Sequence, residues 1–309
     1  MVSSSPSSSE FDVITPIEAV GELPEVNRIR LSDLGDALKL GYADFRAMPT
    51  HAIFLGLAYA AAGLLIARIV FGGSLFTLLY PLATGFALIG PFAAIGLYEL
   101  SRRREEGRDT HWLHVFDVRH SPSFRSILTL GAMLVGLFAL WIATAHGIFS
   151  AYFGYPYHAT LSEFLNELFT TSHGHGLMIV GNAVGLLFAV IAMAVSVVSF
   201  PLMLDRHVGV AAAVTTSLKS VLRNPIVMLA WGLIVSLGLL LGALPLFMGL
   251  AVVVPVLGHA TWHLYRRLVA PDDRQRPQFK PRPHYPHSAA DFPASLFVPS
   301  SLDPDDARY

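Results

Sequence analysis

From 224 to 265 the chain runs for 42 residues without one Asp, Glu, Lys or Arg. A helix that crosses a bilayer needs about 20 apolar residues, so this run is too long for one helix and long enough for two. The sequence GALP at 242–245 supplies the glycine and proline of a turn between them. A second uncharged run of 27 residues covers 72–98. Soluble domains carry about 25% charged residues, whereas this chain carries 14%, with 53% hydrophobic. These features predict an all-α, polytopic membrane bundle.

Six spanning stretches are expected, at about 52–71, 75–98, 126–145, 176–204, 226–241 and 246–265. The second contains Pro81 and Pro91, which a helix among neighbours tolerates. Basic residues set the orientation. Of the 21 Lys and Arg, 20 fall on one side of this arrangement and only Arg68 on the other. Both termini are therefore expected in the cytoplasm, with the bacterial inner membrane as location. The first 50 residues contain no basic segment leading into an apolar one, so a cleaved signal peptide is not expected. The absence of cysteine excludes disulfides and thiolate chemistry. A net charge of −1 gives no reason to expect a nucleic-acid partner.

The odd-numbered spans share an approach. DFRAMPTHAIFLG, DVRHSPSFRSILTLG and SVLRNPIVMLAWG align on Pro49, Pro122 and Pro225, with Asp44, Asp117 and Ser220 at one position. A short amphipathic stretch precedes each proline. Leu31, Leu34, Leu38, Tyr42 and Phe45 keep helical spacing in the first, and Val210, Val214, Leu218 and Val221 in the third; DTHWLHVFDV in the second is less regular. GPFAAIGLYELSRRR and VPVLGHATWHLYRR match across the even spans, with SFPLMLDR a looser third. The expected unit is an amphipathic interfacial helix followed by a transmembrane hairpin, repeated at about 31–98, 109–205 and 208–266. Residues 1–26 and the Pro-rich 271–309 lack the aliphatic content of a core and read as disordered tails around a membrane domain at 27–270.

Between the third and fourth spans, Thr160 and Glu163 have the spacing of a capping box, with Leu161, Phe164, Leu165 and Leu168 along one helical face. His173 and His175 form HGH in the same outer loop and are candidate metal ligands. In GHATWHLYRR, His259 and His263 are one turn apart. His259 is a candidate haem ligand, with His51 as its partner, but His259 and His263 are expected to serve packing rather than ligation. Trp262, Tyr265, Arg266 and Arg267 are expected to anchor the helix at headgroup depth. Glu99 with Arg102, and Asp205 with Arg206, are expected to be interfacial ion pairs. No span has a central charge, and no nucleotide-binding loop, nucleophile elbow or zinc-protease motif occurs. The chain is expected to be no enzyme and to hold no cofactor.

RIRLSDLGDALKLGYADF, GPFAAIGLYELSRRREEG, SFPLMLDR and PVLGHATWHLYRR resemble the bacterial, mainly proteobacterial, integral membrane family catalogued as domain of unknown function 2189. That resemblance, over about 25–270, implies an inner-membrane protein with no assigned activity. The expected role is a scaffold or accessory subunit of a membrane complex, a respiratory one among the options, contacting its partner through an apolar flank or the C-terminal tail. The alternatives are a small-solute carrier or channel and, behind it, a b-haem electron-transfer protein.

Overall fold

The structure, a computed structural model, describes residues 23–48, 81–82, 90–92, 94–154, 160–206, 208–245 and 247–271. The expected first span, most of the second and nearly all of both expected tails lie outside these residues.

The described residues are mostly helical and form no strand. Its elements are α1 (Leu31–Ala47), α2 (Ile95–Glu105), a 3-10 helix (Trp112–His120), α3 (Phe124–Phe153), α4 (Leu161–Thr170) and α5 (Ser172–Ser196). They continue with α6 (Ser199–Asp205), α7 (Val210–Arg223), α8 (Pro225–Ala243) and α9 (Leu250–Leu268). Local chemistry explains several boundaries. Asp33 Oδ2 accepts the Arg30 N–H at 2.7 Å at the start of α1. Glu163 Oε2 accepts the Thr160 N–H at 2.7 Å, and Thr160 Oγ1 accepts the Glu163 N–H at 3.3 Å, which forms the expected capping box of α4. Pro225 takes the first turn of α8, where its missing N–H costs nothing.

Three described helical stretches are long and apolar enough to cross a membrane: Phe124–Phe153, Ser172–Asp205 and Pro225–Ala243. They contain the expected third, fourth and fifth spans. At 1.5 Å per residue, the 34 residues of the second reach about 50 Å, well beyond a hydrocarbon core of about 30 Å. The break between α8 and α9 falls at the expected GALP turn. Helix α9 covers the expected sixth span but is not among the three; from Gly258 to Leu268 it is mostly buried and carries polar side chains.

The ends of α2, α6 and α9 pack on one another, and each receives an amphipathic element on its outer side: α1 on α9, the 3-10 helix on α2, α7 on α6. The largest enclosed side chains, among them Trp262, Tyr98, Tyr265 and Phe200, lie here. Two glycines set the closest approaches. A Cβ on Gly41 would lie 2.5 Å from the Ala260 backbone nitrogen, and one on Gly96 would lie 2.3 Å from Val115. The segment before α1 closes the layer: Asn27 N–H donates to the Leu268 carbonyl at 2.7 Å, and Asn224 Oδ1 accepts the Ile29 N–H at 2.9 Å.

The amphipathic faces differ from simple hydrophobic spacing. In α1 the buried face is Leu34, Ala37, Gly41 and Asp44, while Leu31 and Tyr42 are exposed. In α7 the buried face is mainly small residues such as Ala212, Ala213, Ser217 and Ser220, and Leu218 and Leu222 point outward. Large apolar side chains on the outside suit a helix beside lipid, and small ones let the helix sit close to its neighbour. The second stretch, Trp112–His120, is 3-10 rather than α. Its turns are held by His114, which bonds Asp117 at 2.6 Å and Asp109 at 3.0 Å.

Candidate functional site

The polar layer centres on Asp44, in the last turn of α1 and almost fully enclosed. Its Oδ2 accepts from Ser101 Oγ of α2 at 2.6 Å and from His263 Nε2 of α9 at 2.9 Å. Its Oδ1 pairs with Arg104. Burial alone would raise the Asp44 pKa, but the hydrogen bonds from His263 and Ser101, with the charges beside them, hold the carboxyl below its ordinary value. Ser101 Oγ also meets His259 Nδ1 at 2.7 Å. A hydroxyl has one proton, and the Asp44 carboxylate can only accept. The Ser101 proton therefore goes to Asp44, and His259 donates from Nδ1 to the Ser101 oxygen.

That order decides the chemistry. In a Ser–His–Asp triad the serine gives its proton to the histidine, and the acid stands behind the histidine. Here the serine lies between the acid and the imidazole, gives its proton to the acid, and is itself buried. The Ser, His and Asp side chains form a clasp joining α1, α2 and α9, with no activated nucleophile in it.

Other charges around the centre are also engaged. Glu99 takes two hydrogen bonds from Arg102, at 2.9 and 3.0 Å, and one from Arg103 at 2.8 Å. Arg103 continues to Asp117 of the 3-10 helix at 2.8 Å. Arg266 bonds Glu105 at 2.8 Å and reaches Asp205 at 3.3 Å, bridging α2 and α6. Arg267 reaches back to Asp33 at 2.6 Å and Asp36 at 3.2 Å. Breaking a buried pair from one side costs about 3–5 kcal/mol, because the remaining charge is stranded.

The sequence-predicted residues fall into place unevenly. Glu99 and Arg102 do pair, but fully buried. Asp205 and Arg206 are 3.8 Å apart, and Asp205 is held more closely by the Tyr265 hydroxyl, at 2.7 Å. Trp262 and Tyr265 are enclosed, with the Trp262 indole N–H on Glu105 at 2.9 Å. Protein acceptors, rather than lipid headgroups, receive both polar tips. His259 is fully buried, its Nε2 without a hydrogen-bond partner among the described residues. An unpartnered Nε2 is the atom a haem iron would take, and in the folded chain it is closed off from solvent. His51 lies outside the described residues. His175 bonds the Phe169 carbonyl at 3.0 Å and His173 is exposed; the described residues hold no group of three metal-binding side chains.

Asp44, Ser101, Glu105 and Asp117 were not among the predicted site residues. One signal was present. Asp44 and Asp117 align before successive prolines, and each receives an arginine from α2, Arg104 and Arg103. Residues 79–205 match the family described as Predicted integral membrane protein (DUF2189). Neither a curated protein nor a solved structure matches the chain.

Proposed function

We infer, for a chain whose stretch 79–205 belongs to a predicted integral membrane family of unknown function, a non-catalytic role as scaffold or accessory subunit of a membrane complex. The observation that carries this reading is the Asp44 clasp: this buried Ser–His–Asp cluster is wired for holding helices together and not for activating a nucleophile. The ion pairs around it serve the same end, tying amphipathic elements to the ends of long helices. In this reading the chain crosses the bacterial inner membrane six times with both ends in the cytoplasm, and the polar layer lies on that side.

The packing partners support a threefold arrangement of repeated units. The amphipathic stretch of the second unit sits on the end of the first unit's even span, that of the third on the second, and that of the first on the third. A ring closed in this way needs no partner to bury its polar layer, which leaves the apolar flank and the outer helix α4 for contacts. On α4, Leu161, Leu165 and Phe169 are exposed along one face. The same ring suits a solute carrier, the second reading.

The test is affinity purification of the full chain from gently solubilised native membranes. A scaffold co-purifies with another membrane protein in fixed stoichiometry. Recovery of the chain alone, together with solute uptake by proteoliposomes containing only this chain, would replace the scaffold by the carrier.

A further inference from the structure

Arginines in the polar layer are matched by carboxylates, whereas several exposed cations beside it are not, and two of these stand together in one groove. Lys219 and Arg223 lie four apart on the exposed side of α7, with no acid paired to either among the described residues. Two like charges at that spacing repel each other. They line an open groove of about 670 Å³ between α7 and the segment before α1, where Leu23, Pro24, Val26 and Leu222 supply apolar walls. Glu25 also lines it, leaving one carboxylate against two cations.

Beyond the groove a row of exposed apolar side chains begins. Leu222 is 78% exposed and Ile226 72%, and the row continues along α8 through Leu229, Leu233, Leu237 and Leu240. Helix α8 begins at Pro225, two residues after Arg223, and is one of the three stretches able to cross a membrane. The cations therefore stand where a spanning helix enters the bilayer, at the depth of lipid phosphates. We propose that this groove binds an anionic phospholipid: Lys219 and Arg223 hold the phosphate, and one acyl chain lies along the row from Leu222 to Leu240. Charge complementarity selects the headgroup, and the uninterrupted apolar row selects a lipid over a free anion. Arg223 also suits the negative end of the α7 dipole, so lipid binding, rather than stability, is the informative readout.

The test uses the full chain in neutral detergent, with retention of phosphatidylglycerol or phosphatidylcholine measured by native mass spectrometry. Two basic residues at an anionic surface are together worth roughly thirtyfold in affinity. Lys219→Gln with Arg223→Gln is expected to weaken phosphatidylglycerol retention by about that factor, and Lys219→Arg with Arg223→Lys to preserve it. Leu222→Asp should weaken it while leaving both cations in place. Equal retention of the two lipids by the unaltered chain would overturn the proposal. So would an equal loss from Arg28→Gln, an exposed cation outside the groove lining, which would make the effect one of net charge. Displacement of the lipid by an equimolar amount of inorganic phosphate would show a phosphate site and overturn it as well.

Discussion

His263 Nε2 donates to Asp44 Oδ2 at 2.9 Å across 219 positions of sequence, which joins the first described helix to the last. The contact stands where α1 and α9 lie side by side, and it makes their separation a measurable quantity.

Gly41 tests that separation directly. A methyl group there would meet the Ala260 backbone, which cannot swing aside as a flexible side chain can. Gly41→Ala is expected to destabilise the protein by about 1–3 kcal/mol, the usual cost of overpacking. Gly35, in the same helix, has open space around it. Gly35→Ala is expected to stabilise by about 0.5–1 kcal/mol through helix propensity. Thermal unfolding in detergent reads both, and effects of the same sign would contradict the close approach of α1 and α9.

Asp44→Asn replaces one acceptor oxygen by a donor, so Ser101, His263 and Arg104 compete for the single oxygen that remains, at an expected cost of about 1–3 kcal/mol. Arg104 limits the loss, because its side chain is 42% exposed and can turn to water. The same carboxyl predicts acid lability. Its pKa is lowered in the folded state relative to the ordinary 3.8, so its stabilisation is present above that value and is lost as pH falls through the lower, folded one. The unfolding midpoint should drop in that window for the native chain and drop less for Asp44→Asn. Parallel pH profiles would show that Asp44 is not the group responsible.

His259 bears on the haem alternative. The purified chain is expected to show no Soret absorbance, and His259→Ala is expected to cost about 1–3 kcal/mol by removing a buried donor to Ser101. A stoichiometric haem spectrum lost on that substitution would make electron transfer the leading function.

Topology is open to a reporter experiment. Alkaline-phosphatase fusions within 146–175 are expected to be active, and fusions at residues 110 and 212 inactive. Strong activity at either of the latter two would rule out six spans with both ends in the cytoplasm.

Much of the helical framework was legible in the sequence because it follows from local rules. Long uncharged runs marked Phe124–Phe153, Ser172–Asp205 and Pro225–Ala243 as membrane helices. Glycine and proline marked the turn before α9, and the three-residue spacing of Thr160 and Glu163 marked the cap of α4. Each of these depends on residues within a few turns of one another. The site was less legible: the repeat alignment paired Asp44 with Asp117, but nothing in that alignment says which arginine each receives.

For the described residues, the sequence by itself determined a helical framework with stretches able to span a membrane and the main breaks between them, because bilayer length and backbone hydrogen bonding act on contiguous residues. Only the tertiary structure decided where the polar groups of GHATWHLYRR point. Composition suits Trp262 and Tyr265 to a lipid interface, and Arg266 to water just beyond it. In the folded chain α2 and α6 bring Glu105 and Asp205 within reach, and these acceptors take the indole, the phenol and the guanidinium instead. Glu105 is 161 positions from Arg266 and Asp205 is 61, so the choice between lipid and protein is made by the packing of helices distant in the chain, which no local pattern records.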